Sequence, residues 1–188
     1  MAVTGTGMFG APLENMRTLL SVLSATQTWM SAADAAAAAA KIHLYEFDDP
    51  ELGSSTDAVW TAARAAYRPL IVVGFGDNVE AEEDSAGPNN YWHHEGDLFC
   101  LFEDLARNGS GVQAADNTVT TADGIATMMN SVGAIIKAME AAVSGGGYID
   151  LTGWAMRDNP GRMPAVEVHD GGQLDLVTVT FRLDRRDM

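Results

Sequence analysis

The densest group of chemistry-bearing residues in this chain is His93-His94-Glu95-Gly96-Asp97. Imidazoles and carboxylates are metal ligands, so a metal-dependent hydrolase built on His93, His94, Glu95 and Asp97 is one candidate activity. The spacing argues against it. A helical zinc motif needs two histidines at i and i+4 to share a face, whereas adjacent His93 and His94 fall on opposite sides of a strand. Spacing places no third ligand. A loop-to-strand junction with exposed histidines is the simpler reading.

Other candidates fare no better. Gly74-Phe75-Gly76 contains a G-x-G after an expected strand, but a dinucleotide fingerprint requires G-x-G-x-x-G opening a helix. Here Val79 and an acidic stretch follow, and acids repel a pyrophosphate. Gly145-Gly146-Gly147 follows a helical pattern, which suits a C-cap and not a phosphate cradle. The chain has no P-loop and no G-x-S-x-G elbow. The acidic stretch 77–97 lacks the alternating ligand pattern of a calcium loop, so a solvated face is the simpler reading. Carboxylates are plentiful, yet nothing in their spacing selects a catalytic pair. The single cysteine, Cys100, lies in Leu98-Phe99-Cys100-Leu101-Phe102. A reactive thiolate needs an electropositive, partly exposed setting, and this one is apolar and acidic. No catalytic, cofactor-binding or metal residue is assigned, and the expectation is a protein that is not an enzyme and carries no cofactor.

Composition narrows the class further. The 188 residues are 47% hydrophobic, which fits one globular domain spanning 1–188. Eleven Lys and Arg against 26 Asp and Glu give a formal net charge of -15. Such a charge disfavours general adhesion to nucleic acid or anionic membrane. No stretch reaches the ~18 apolar residues of a membrane span. Met1-Ala2-Val3-Thr4-Gly5 lacks the basic and apolar regions of a signal peptide, so synthesis in the cytoplasm is expected.

The elements follow from periodicity. Residues 1–11 read as an extended N-terminal arm. Leu13, Met16, Leu19, Leu20, Leu23 and Met30 have helical spacing. Asp34 precedes six alanines, Ala35 to Ala40, which predict a tight second helix. Residues 42–47 predict a strand, and Asp57 opens a short helix reaching Tyr67. Residues 69–73 and 96–102 are apolar strands, separated by a predicted long loop over 74–92. No Lys or Arg occurs between Pro69 and Ala106. Residues 108–119 predict a second exposed excursion. Thr120 and Asp123 match a capping box. Ile125, Met128, Met129, Val132, Ile136, Met139 and Val143 then line one helical face. Residues 148–151 predict a short strand and 153–164 a loop. Finally, Val177, Val179, Phe181 and Leu183 alternate with Thr178, Thr180 and Arg182, giving a strand with one buried and one wet face. Trp29, Trp60, Trp92 and Trp154 are expected as core or interface anchors. Residues 184–188 read as a C-terminal tail. Its Arg185 and Arg186, with Arg182, form a basic patch suited to an acidic neighbouring subunit. The economical fold is α/β of the α+β kind: one mixed, mostly antiparallel sheet with helices on one face, long loops and terminal arms.

With these elements in order, the chain resembles the tail terminator proteins of long-tailed bacteriophages. The resemblance is carried by Met16-Arg17-Thr18-Leu19-Leu20, Thr28-Trp29-Met30, the alanine run, Ile42-His43-Leu44-Tyr45 and Arg68-Pro69-Leu70-Ile71-Val72-Val73. Residues 96–102, a lone amphipathic helix and the Val177-Thr178-Val179-Thr180-Phe181 strand complete it. It covers most of the chain from Leu13 to Leu183, as a pattern of elements and not as a diagnostic motif. It implies a virion protein of the neck and tail, made in the host bacterial cytoplasm. Such proteins form hexameric rings on the head-proximal end of the tail tube, stop its polymerisation and dock to the head connector. The implied partners are further copies of the chain, the tail tube protein and the head-tail connector, with DNA passing through the lumen without specific binding. No membrane and no catalytic residue is implied. The acidic middle stretch and the polyalanine helix depart from the family pattern. Physically, a ring subunit needs arms that reach its neighbours, and an acidic lumen would repel passing phosphates. The competing expectations are another neck connector or a tail-tube subunit, the hydrolase above, and a small acidic binding module that stays monomeric.

Overall fold

The computed structural model of the chain describes residues 7–45, 68–84, 91–105, 122–142, 155–156, 165–170 and 174–187. The expected helix at 57–67, the excursion at 108–119 and the strand at 148–151 lie outside them, as do Trp60 and Trp154.

The chain enters as helix α1 (Gly7–Val22). The expected arm over 1–11 is therefore corrected: helix already begins at Gly7, and Gly10 and Pro12 are buried. The stripe expected to run unbroken to Met30 breaks at Leu23, which is extended at φ -73 and ψ 126 before α2 (Ser24–Trp29). Hydroxyl side chains compete for backbone groups there. Ser21 Oγ donates to the Thr18 carbonyl at 2.9 Å, and Gln27 Nε2 reaches back to the Ser21 carbonyl at 2.9 Å. The break lets Leu20, Leu23 and Thr26 all be buried.

Helix α2 ends in a Schellman arrangement. Ala32 N donates to the Gln27 carbonyl at 2.8 Å and Ser31 N to the Thr28 carbonyl at 3.2 Å, with Ser31 left-handed at φ 51. Lys41 Nζ satisfies the Met30 carbonyl at 2.9 Å. Helix α3 (Ala35–Ala39) is the alanine run, capped by Asp34 accepting from Ala37 N at 2.8 Å.

The sheet contains β1 (Ile42–Leu44), β2 (Leu70–Asp84), β3 (Tyr91–Leu105), β4 (Ala155–Met156), β5 (Ala165–Asp170) and β6 (Leu174–Asp187). Its order is β1-β2-β3-β6, with β4 and β5 both on the far edge of β6. Among the described residues only β1–β2 is parallel, so the sheet is mixed and mostly antiparallel, and the fold is α+β. Helix α4 (Ala122–Ala142) lies between β3 and β4 in the chain.

Register sorts the faces. Rows such as Ile42–Ile71–Phe102–Val177 and Leu44–Val73–Cys100–Val179 run across the strands. They pack with Leu13, Met16 and Leu20 of α1 and Met128, Val132, Ile135 and Met139 of α4 in one core. Trp29 meets Phe102 edge-on at 5.7 Å, as expected of an aromatic anchor. On α4, Ile135 rather than Met129 completes the buried stripe; Met129 is 46% exposed. Met129 follows Met128 directly and so lies about 100° around the helix from it, at the margin of the stripe.

The opposite face is not simply wet. At the β1 end His43, Leu70, Val72 and Glu103 are buried there too. Leu70 to Val73 therefore reads as a run buried on both faces, which is why its sequence is uniformly apolar.

The predicted loop over 74–92 is the main correction. Residues 74–84 continue β2 and residues 91–96 begin β3, forming one long antiparallel hairpin. The irregular composition is absorbed by a register shift: Phe75 faces Leu98 and Val79 faces Gly96, leaving Gly76, Asp77 and Asn78 against Asp97 alone. The C-terminal tail is corrected likewise, since 184–187 are strand, paired with 92–95. Residues 155–156 of the predicted loop are β4, and β5 had no counterpart among the expected elements.

Candidate functional site

Two regions hold the polar residues singled out above. The first lies at the helix-covered end. Arg68 Nε donates to Glu103 Oε1 at 2.5 Å, and their side chains are 2% and 0% exposed. Two apolar runs paired antiparallel bring their flanking residues together: Leu70 pairs with Glu103, so Arg68, just ahead of β2, reaches that carboxylate. A charge taken out of water needs a counter-charge at such distance. Glu103 and Asp104, just beyond the acidic stretch 77–97, are 0% and 1% exposed. The pair is sealed from solvent, so its role is structural. Clustering of acids in the sequence does not mark it. The available signal was an Arg before one apolar run and a Glu just after the next.

Cys100 is fully buried in the same core, and desolvation pushes its thiol far above the usual range. It is a core residue, as its setting predicted.

Gly74 is placed by packing and not by phosphate. It faces Phe99 across the hairpin, and a Cβ there would lie 2.5 Å from the Phe99 ring and 2.8 Å from Tyr45 Cβ. Tyr45 and Phe99 meet edge-on at 5.7 Å. The glycine is a seat for an aromatic ring.

The second region is the distal part of the β2–β3–β6 ribbon. His93 lies between Glu82 and Arg186, His94 between Ala81 and Arg185, Glu95 between Glu80 and Asp184, and Asp97 beside Arg182. Positions 93, 95 and 97 share one strand parity and 94 the other. Trp92 sits between Glu83 and Asp187. The C-terminal arginines lie on the strand next to this histidine and acid segment of their own chain, and not on a free tail. Among the described residues no three His, Cys, Asp or Glu are grouped to hold a metal ion. Among them, too, no helix is long and apolar enough to cross a membrane.

No protein-family model matches the chain, and no curated protein matches it.

Proposed function

We propose that this chain is a structural subunit of a phage-type tail, forming a closed ring at the head-proximal end of the tail tube. There it ends tube polymerisation and presents the surface that joins tail to head connector. The observation that supports the reading is the long ribbon. Strands β2 and β3 have 15 residues each, roughly 50 Å at strand rise, whereas α1 with 16 residues spans about 24 Å. A sheet longer than the helix packed on it leaves strands available to neighbours, which a ring subunit requires. Acidic residues at the ribbon, Glu80, Glu82, Glu83, Asp84 and Glu95, suit a wall past which DNA slides, because like charge prevents adhesion.

Light scattering on the purified protein tests the reading, together with negative-stain imaging. A single closed ring is expected, with its mass unchanged as concentration rises. Open-ended growth would instead identify a tube subunit, and a monomer at all concentrations would defeat the assembly reading. A ring whose lumen proved neutral or basic would remove the DNA-repelling role.

A further inference from the structure

We propose that the solvent face of α4 is a contact surface for a second copy of this chain, with the two backbones in close approach at Gly133. The proposal rests on the ring reading and names one face at which its subunits meet.

Met128, Val132, Ile135 and Met139 bury one side of α4 in the core. Ala126, Asn130, Gly133, Ala134, Lys137 and Ala141 are exposed, and at about 100° per residue they gather on the opposite side. The solvent side of a helix is normally charged and polar. Here residues 124–139 contain one charge, Lys137, in a chain that is 20% charged. Met129, at the margin of this side, is 46% exposed. Depletion of charge beside an exposed methionine is the composition of an interface core. Gly133 points the same way. It stands inside the helix, where glycine costs stability relative to alanine. A Cβ on Gly74 would strike the Phe99 ring and Tyr45, whereas a Cβ on Gly133 would meet no described atom within 4 Å. Packing among the described residues therefore does not require this glycine. A missing side chain on an exposed, charge-poor face fits the close approach of another backbone.

Charge selects the occupant. Each copy carries a formal net charge of -15, so two copies repel across most of their surfaces. They approach closely only where acids are sparse, and between Asp123 and Glu140 the α4 sequence has none. The one cation on this face, Lys137, is complementary to an acidic neighbour and is repelled by a basic one. A second copy of this acidic chain meets both conditions.

Two variants, Gly133→Ala and Lys137→Glu, test the contact. Each is compared with the unmodified chain by chemical denaturation for folding and by sedimentation for association. Gly133→Ala is expected to raise the folding equilibrium constant about fivefold, because alanine is the better helix former and its methyl meets open space. The same variant is expected to associate about tenfold more weakly, because the methyl intrudes on the neighbour. A glycine with no contact role would give the first change without the second. Lys137→Glu is expected to keep the denaturation midpoint and to associate about tenfold more weakly at low salt, with recovery as salt screens the added acid. Should the unmodified chain assemble while either variant assembles as tightly, the face meets another occupant or plain solvent: the α4 contact is overturned and the ring reading survives. A monomeric unmodified chain overturns both.

Discussion

The two ends of the sheet are built on opposite rules. At the helix-covered end, Leu70 to Val73 and Leu98 to Phe102 are almost wholly apolar, and the carboxylate there, Glu103, is buried against a guanidinium. At the distal end the same strands carry Glu80, Glu82, Glu83, Asp84 and Glu95, with arginines on the third strand. One strand, β3, passes through both. A carboxylate on it is thus required at one end and merely set among other charges at the other. The covered end holds the apolar core, and the ribbon carries most of the charge on these strands.

Substituting the same residue type at both ends gives the sharpest contrast. Glu103→Gln removes the charge facing the buried Arg68, and a loss of about 3–5 kcal/mol in denaturant-derived stability is expected. Arg68→Met combined with Glu103→Leu should recover most of it, because two apolar side chains need no counter-charge. A fully tolerated Glu103→Gln would mean that the pair is not what closes this end.

The seam between the regions comes next. Gly74→Ala drives a methyl into the Phe99 ring and Tyr45, at an expected cost of about 1–3 kcal/mol. Phe99→Ala in the same chain should relieve part of it, read as coupling in a double-mutant cycle.

Cys100 probes the covered end through pH. Its folded thiol stays protonated, whereas an unfolded one ionises above about pH 8.5. A raised folded value means stability that is present below that pH and declines above it, by about 1.4 kcal/mol per pH unit. Chemical denaturation from pH 8 to 10 should show this slope, and Cys100→Ala should lack it. Thiol labelling of the native protein should be slow until it unfolds.

The smallest effect is expected in the ribbon. Glu95 lies between Glu80 and Asp184, three carboxylate positions in one row. Glu95→Gln should stabilise by about 0.2–1 kcal/mol at low salt, shrinking as salt screens the row. A large destabilisation would show that the ribbon is packed like the covered end.

Much of this was legible in the residues. The alternation of Val177, Val179 and Phe181 marked the buried face of β6, and all three are buried. The apolar setting of Cys100 marked an inert thiol. The hairpin beyond Gly74 was not legible, because its glycines, asparagines and acids have poor strand propensity. Pairing with β3 overrides that preference. The four hydrolase candidates were visible as a cluster in sequence, but strand parity divides them.

Local pattern, then, determined the α+β class, the apolar stripe of α4 apart from Met129, and the alanine helix with Asp34 at its start. Tertiary structure alone decided that Glu103 is buried with Arg68, that 74–84, 91–92 and 184–187 are strands of one ribbon, and that Arg185 and Arg186 stand across from His94 and His93. The reason is physical. Periodicity and propensity act within a few residues, whereas a strand's partner, and the burial of a charge on it, depend on segments far away in the chain.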